Sequence, residues 1–113
     1  MIDQLNTLIT GLKANSITFN EVISYIENRY KHQPTAFKNG EVHNEATQNQ
    51  GSAKVFAFAQ LHHLNEADTL YLFAEHYQAV VAHPDAEDHQ NIRQFMTHGW
   101  AGIQFDGDAL CVK

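Results

Sequence analysis

The sequence predicts an α+β domain dominated by helices, with about five amphipathic helices packed layer on layer and a short C-terminal β-hairpin. Apolar side chains recur every three or four residues along most of the chain, which is typical of helices with one buried face. After Trp100 apolar and polar residues alternate instead, which is typical of short strands. A length of 113 residues is the usual size of one domain, so we expect a single domain over residues 1–113.

The first two helices are predicted from their apolar stripes. The first stripe ends where Asn15 and Ser16 interrupt the pattern, and it consists of Leu5, Leu8, Ile9 and Leu12. Thr18 and Glu21 then have the spacing of a capping box, in which each side chain bonds to a free backbone N–H group at a helix start. A second stripe follows as far as Tyr30. Because the connection is short, we expect an antiparallel pair.

Two further helices are predicted in the middle of the chain. Ser52 can cap a third helix that runs to Leu61 and is apolar on nearly all sides, so we expect it to be central and buried. A buried strand is the alternative for so short an apolar run. Asn65 can cap a fourth helix. We expect that helix to end before Pro84, because the residue preceding a proline avoids helical geometry.

A fifth helix and a hairpin are predicted at the C-terminal end. Asp85 or Asp88 can cap the helix, and Gly99 can end it in the left-handed conformation. Residues 103–112 are predicted to form two strands joined by a turn at residues 106–108. Cys111 lies beside apolar residues in the second strand, so we expect it to be buried and unreactive.

Composition and charge argue against several classes of partner. The formal net charge is −6 with neutral histidines, and the seven Lys and Arg residues are scattered, so we expect neither nucleic-acid binding nor membrane-surface attachment. The sequence contains neither an apolar run long enough to cross a bilayer nor the features of a secretory signal at its N-terminus. The single cysteine excludes an internal disulfide and favours a reducing compartment.

Residues 41–51 form a polar segment that is longer than most connections in compact domains, and segments of this kind are usually functional or disordered. Phe37 and Val42 can anchor it to the core, so we expect an ordered loop. Its amide side chains can hold a polar ligand or can brace the loop through local hydrogen bonds, and both interpretations remain open. The candidate residues of this segment and the following helix turn are His43, Asn44, Asn49 and Lys54.

The start of the fifth helix offers a second set of candidates. His89 and Arg93 lie one turn apart on one face, near free N–H groups that attract anions. The alternative is a charged first turn in which Asp88 caps the helix and Arg93 forms a surface ion pair. If the polar segment folds back onto this helix, both sets converge on one cleft. The candidate ligand-binding residues are then His43, Asn44, Asn49, Lys54, His89, Asn91 and Arg93, and no catalytic residue is assigned.

Metal and cofactor motifs are weak in this sequence. The eight histidines include no His-x-x-x-His pair on a predicted helix, and no second cysteine is present, so the usual zinc spacings are missing. Glycine-rich phosphate-binding motifs are missing as well. We therefore assign no cofactor and no metal ligands. A metal site assembled from distant histidines, such as His43 with His89, remains an alternative.

Two long motifs of this sequence resemble the HopJ type III effector family. The first is PTAFKNG at residues 34–40, followed by Asn44 and by QNQGSAKVFAFA at residues 48–59. The second is DHQNIRQFM at residues 88–96, followed by Gly-Trp at residues 99–100. The resemblance extends over nearly the whole chain. One departure is Ala53, where the family commonly has cysteine, so a function of cysteine at that position would be absent here.

The resemblance implies a protein of undefined biochemical activity, in a family named after proteins that plant-associated bacteria deliver into host cells. We favour a binding or interaction role, with an unknown protein or a small polar ligand as the partner and virulence as the setting that the family name suggests, and we leave open whether the chain is an enzyme. A small enzyme or ligand-binding domain is the alternative. A type III export signal is usually disordered, whereas the first thirty residues here are patterned as helices. We therefore expect a bacterial cytoplasmic protein, exported to a host cell if it is a true effector.

Overall fold

The structure of this chain, a computed structural model, describes the backbone of residues 2–113 and the side chains of residues 5–113. Within this range it confirms a helix-dominated α+β fold. The six α-helices are α1 (Ile2–Lys13), α2 (Phe19–Arg29), α3 (Gln50–Leu61), α4 (Glu66–Tyr71), α5 (Glu75–Ala82) and α6 (Gln90–His98), and a 3₁₀-helix (Gly99–Gly102) follows α6. The five short strands are β1 (Tyr30–His32), β2 (Phe37–Asn39), β3 (Val42–Asn44), β4 (Ile103–Phe105) and β5 (Leu110–Val112).

Helix α3 lies at the centre of the core, as predicted, and is not a strand. Residues 55–59 are all buried. The ring centroid of Phe56 lies 5.0 Å from that of Phe95 on α6 and 5.3 Å from that of Phe73. Fully burying a large apolar side chain contributes about 1.5–3 kcal/mol. These contacts therefore hold α6 and the region between α4 and α5 against α3.

Two predicted helix signals are confirmed. The Glu21 backbone N–H donates to the Thr18 hydroxyl at 3.3 Å, and the Thr18 backbone N–H donates to the Glu21 carboxylate at 3.1 Å, which completes the capping box of α2. Gly99 ends α6 at the predicted position with a φ of +61°, although its ψ of −154° lies outside the left-handed helical region. Both signals are local, since they depend on residues within one helical turn, and local signals can be identified directly from the sequence.

The predicted fourth helix is wrong as one element, because it is divided into α4 and α5 at a buried turn. Ala74 adopts a φ of +52° and a ψ of −124°, a conformation that L residues rarely populate. The turn buries Phe73, whose ring is stacked on that of Phe19 at 6.0 Å and also contacts that of Phe56. Burial of this ring offsets the backbone strain. No glycine or proline marks the break, so the apolar pattern alone predicted a continuous helix.

The C-terminal hairpin is present as two strands joined by a turn, but its strands bond to earlier strands of the chain. β4 pairs antiparallel with β2, which also pairs with β3, and β5 pairs antiparallel with β1. β4 and β5 do not pair with each other, and two three-residue strands would be marginal alone, so it is the pairing with β2 and β1 that stabilises them. Cys111 is exposed, which corrects the expectation that it is buried, because β5 directs Leu110 inward instead.

Candidate functional site

The polar segment is ordered, and part of it is a β-hairpin rather than a loop. β2 and β3 are joined by a turn at Gly40, which has a φ of +58°. The Gly40 N–H donates to the Gly102 carbonyl at 2.9 Å, and the Glu41 N–H donates to the Gln94 side chain at 3.0 Å. The segment therefore folds back onto α6, as the sequence analysis expected.

Four asparagines connect this hairpin to the starts of α3 and α6, and we call them the asparagine cluster. Asn44 and Asn91 exchange two side-chain hydrogen bonds of 3.1 Å. Asn39 donates to the Asn91 side chain at 3.1 Å and to its carbonyl at 2.7 Å, and Asn49 donates to Asn44 at 2.7 Å. Asn39 and Asn44 are fully buried. Buried, mutually bonded amides fix the relative position of the elements that carry them.

The residues that precede α3 and α6 are both left-handed, which corrects the predicted caps. α3 begins at Gln50 after Asn49, not at a Ser52 cap, and α6 begins at Gln90 after His89, not after Asp85 or Asp88. Asn49 and His89 each have a φ of +52°, and neither side chain caps its helix. Non-glycine residues in this region are uncommon, and clusters of them occur at functional sites.

Arg93 holds the segment that leads into α6. Its guanidinium donates to the carbonyls of His83 and Pro84 at 3.0 Å and to the carbonyl of Asp88 at 2.5 Å. It also forms a 2.8 Å ion pair with the Asp88 carboxylate, and this guanidinium holds the pKa of that carboxyl below its usual range. The structure thus agrees with the alternative in which Arg93 pairs with Asp88. These contacts occupy the Arg93 guanidinium and hold the residues that directly precede His89.

A cavity of about 450 Å³ lies where the starts of α2, α3, α5 and α6 meet, and we call it the four-helix cavity. Its apolar lining consists of Phe19, Val42, Phe73 and Ile92. Its polar lining consists of Asn49, Ser52, His76, His89, Gln90 and Asn91, and Gly51 completes it. This size is in the usual range of small-molecule sites, and a mixed lining can both orient and bury a ligand.

Two histidines from different elements meet at this cavity. The ring centroids of His76 on α5 and His89 before α6 are 5.1 Å apart. The His76 ring also contacts the Phe19 ring edge-to-face, at 4.8 Å. Glu75 precedes His76: burial alone would raise the pKa of its carboxyl, but hydrogen bonds from the Phe19 and Glu75 N–H groups lower that pKa below its usual value.

The structure brings some of the predicted site residues together at the cavity and directs others elsewhere. Asn49, His89 and Asn91 line it, and Asn44 lies behind Asn49 and Asn91 in the asparagine cluster. The sequence analysis did not identify His76, because its contact with His89 depends on the break at Ala74.

His43 and Lys54 are not among the residues that line the cavity. His43 is exposed on β3 and lies 3.2 Å from the Glu45 carboxylate. Lys54 forms a 2.7 Å ion pair with Glu27, and its ammonium lowers the pKa of the Glu27 carboxyl. These two residues and Arg93 therefore lie outside the lining of this cavity, and a ligand-binding role for them stays a prediction.

The amides of the polar segment mainly brace the chain. Gln50 accepts from the Thr35 N–H at 3.1 Å and donates to the carbonyls of Thr35 and Gln48 at 3.2 and 2.8 Å. The Gln48 side chain accepts from the Glu45 N–H at 3.1 Å. Self-bracing is thus observed at most of these positions, and the cavity adjoins the braced region.

A closed metal centre finds no support in the described part of the chain. The described side chains, those of residues 5–113, include no group of three or more His, Cys, Asp or Glu arranged to hold an ion. The two histidines that do meet are His76 and His89, not the pair of His43 and His89 considered from the sequence. Among the same residues, no helix has the length and apolarity needed to span a bilayer.

Comparison with known proteins identifies the family. The model of the HopJ type III effector protein family matches residues 5–110. The chain is 41% identical to VPA0580, a protein of unknown function with a known crystal structure. The two structures superpose with a TM-score of 0.88, and the match covers 96% of this chain and 92% of the VPA0580 chain. No curated protein matches the chain. The match over residues 5–110 shows that this chain belongs to the HopJ type III effector protein family.

Proposed function

We propose that this HopJ-family chain is a binding protein that takes a small polar ligand in the four-helix cavity. The observation that carries the proposal is the convergence of four helix starts and two contacting histidines on a cavity of about 450 Å³. Three residues with rare backbone conformations, Asn49, Ala74 and His89, lie at or beside this cavity. Strain concentrated in one place supports a functional interpretation of that place.

The asparagine cluster supports a cavity that exists before the ligand arrives. Asn91 lines the cavity and shares three side-chain hydrogen bonds with Asn39 and Asn44. Because these amides are bonded to one another, little ordering is needed when a ligand binds, and a preorganised site binds more tightly than one that must be ordered.

A thermal-shift screen of small polar molecules against the intact chain tests this proposal. At least one molecule is expected to raise the melting temperature saturably, because a ligand that binds the folded state stabilises it. The variant Ser52→Leu places a branched side chain in the cavity and is expected to abolish the shift. Ser24→Leu, an exposed serine of α2, is the matched control and is expected to retain it. A screen without any saturable shift, or a binder unaffected by Ser52→Leu, would refute the proposal.

A second candidate function is delivery into a host cell, and the family match favours it. The resident location proposed here remains the bacterial cytoplasm, with export as an additional step. A tagged full-length chain can be expressed in a secretion-competent strain and in its secretion-deficient counterpart. Translocation only from the competent strain would support an effector function, whereas retention in both strains would eliminate it.

A further inference from the structure

The electrostatic character of the four-helix cavity indicates what kind of ligand it takes. Of the described residues that line it, none is Asp, Glu, Lys or Arg, and His76 and His89 alone carry a titratable side chain. The side chains of the lining therefore contribute no negative charge. The chain as a whole has a formal net charge of −6 at pH 7 with neutral histidines, so its acidic side chains lie outside this lining.

The charged groups next to the two histidines are already paired. The Asp88 carboxylate lies 4.0 Å from the His89 ring but forms its shorter, 2.8 Å contact with Arg93. The Glu75 carboxylate accepts the Phe19 N–H at 2.7 Å. Both carboxylates are thus engaged by partners other than the two imidazoles.

The starts of α3 and α6 add backbone N–H donors, which also favour a negatively charged ligand group. Asn49 and His89 do not cap α3 and α6 with their side chains, so N–H groups at the first turns of these two helices can donate to a ligand. Phe19 and Phe73, whose rings are stacked with an interplanar angle of 10°, supply apolar surface to the same cavity. The lining thus combines hydrogen-bond donors that suit negative charge with aromatic surface that suits a flat apolar group.

We propose that the ligand is a small organic anion, with a carboxylate or phosphate held by His76 and His89 and a flat apolar body against Phe19 and Phe73. A charge-assisted hydrogen bond from an imidazolium to an anion is stronger than one from a neutral imidazole, so tighter binding is expected at lower pH. This inference rests on the proposed function and specifies the ligand class of that site.

Nuclear magnetic resonance titrations of the intact chain with benzoate, phenyl phosphate, benzamide and acetate test the inference at pH 6 and pH 8. Both aromatic anions are expected to shift cavity amides and to bind more tightly at pH 6, with a limit of about tenfold per pH unit for each proton taken up. Benzamide lacks the charge and acetate lacks the ring, so both are expected to bind more weakly. If phenyl phosphate binds more tightly than benzoate at both pH values, the anionic group is a phosphate; the reverse order assigns a carboxylate.

Histidine variants separate the two imidazoles from the rest of the site. His76→Gln keeps a helix-forming residue on α5, and His89→Asn keeps a residue that tolerates the left-handed conformation. Each is expected to reduce the pH dependence of binding while the melting temperature is retained. His63→Asn is the matched control, since His63 is an exposed histidine with a φ of +54° that does not line the cavity.

The possible failures are distinguishable. If neither aromatic anion binds at pH 6, or if benzamide binds as tightly as benzoate, the inference about the ligand class is overturned. If the thermal-shift screen finds a neutral ligand whose affinity does not change with pH, the proposed function stands and only this inference falls. If the screen finds no ligand, both are refuted.

Discussion

Replacing Asn91 by alanine removes the centre of the asparagine cluster. The change eliminates three side-chain hydrogen bonds of 3.1 Å, one from Asn39 and two exchanged with Asn44. A hydrogen bond of this kind contributes about 0.5–1.5 kcal/mol net. Asn39 keeps its 2.7 Å bond to the backbone carbonyl of residue 91, Asn44 keeps its 2.7 Å bond from Asn49, and alanine is a better helix former. We therefore expect a loss of about 2–3 kcal/mol in the free energy of unfolding.

Urea unfolding followed by circular dichroism measures this loss. For a chain of this size it corresponds to a fall of about 8–12 °C in the melting temperature. Asn91→Asp separates hydrogen bonding from shape, because it keeps the volume but presents an acceptor where Asn44 needs a donor, so it is also expected to destabilise. Asn6→Ala, at an exposed position of α1, is the control and is expected to change stability by less than about 0.5 kcal/mol. The reasoning is refuted if Asn91→Ala changes stability no more than Asn6→Ala does.

Three further predictions test other parts of the structure. Gly99→Ala is expected to destabilise the fold by about 2 kcal/mol or more, because a φ of +61° with a ψ of −154° strains any residue that has a Cβ. The flexible carboxylate of Glu66, which such a Cβ would meet, would also have to move away from the Trp100 N–H. Gly51→Ala, whose Cβ would be in ordinary 3.7 Å contact, is expected to stabilise α3 by about 0.5–1 kcal/mol, and equal effects of the two variants in denaturant unfolding would contradict this prediction. Arg93→Lys loses the forked contacts to the carbonyls of residues 83, 84 and 88. The variant is therefore expected to exchange the amide hydrogens of residues 83–89 faster. Unchanged exchange would show that Arg93 does not hold this segment. Burial lowers the pKa of His62, so the unfolded chain takes up a proton near pH 6.5 that the folded chain resists. The free energy of unfolding is therefore expected to decline as the pH falls below about 6.5. In His62→Gln this part of the decline should disappear from unfolding curves measured between pH 7.5 and 5, and an identical decline would rule out His62 as its source.

Local signals in the sequence predicted much of the fold correctly. The capping box of α2, the helix end at Gly99 and the apolar run of α3 depend on neighbouring residues, so their consequences can be worked out without knowledge of the tertiary structure. The return of the polar segment onto α6 was also expected. Of the seven candidate ligand-binding residues, however, only Asn44, Asn49 and Asn91 take part in the asparagine cluster.

Features that depend on tertiary packing were not predictable from the sequence. The turn at Ala74 exists because Phe73 is buried between two other rings, and this burial has no local signature. The same turn orients α5 so that His76 meets His89, which explains why the sequence analysis did not find His76. β4 pairs with β2, and β5 pairs with β1, so these partners lie far away in the sequence. The turn between β4 and β5 gives no signal of either pairing.

The most direct test of the central claim is a ¹H–¹⁵N correlation spectrum of the intact chain, titrated with the strongest binder from the screen. The account predicts saturable shifts at the amides of Gly51, Ser52, His76 and Ile92, which line the four-helix cavity but belong to three different helices. Saturable shifts confined to another surface, with these four amides unchanged, would contradict it.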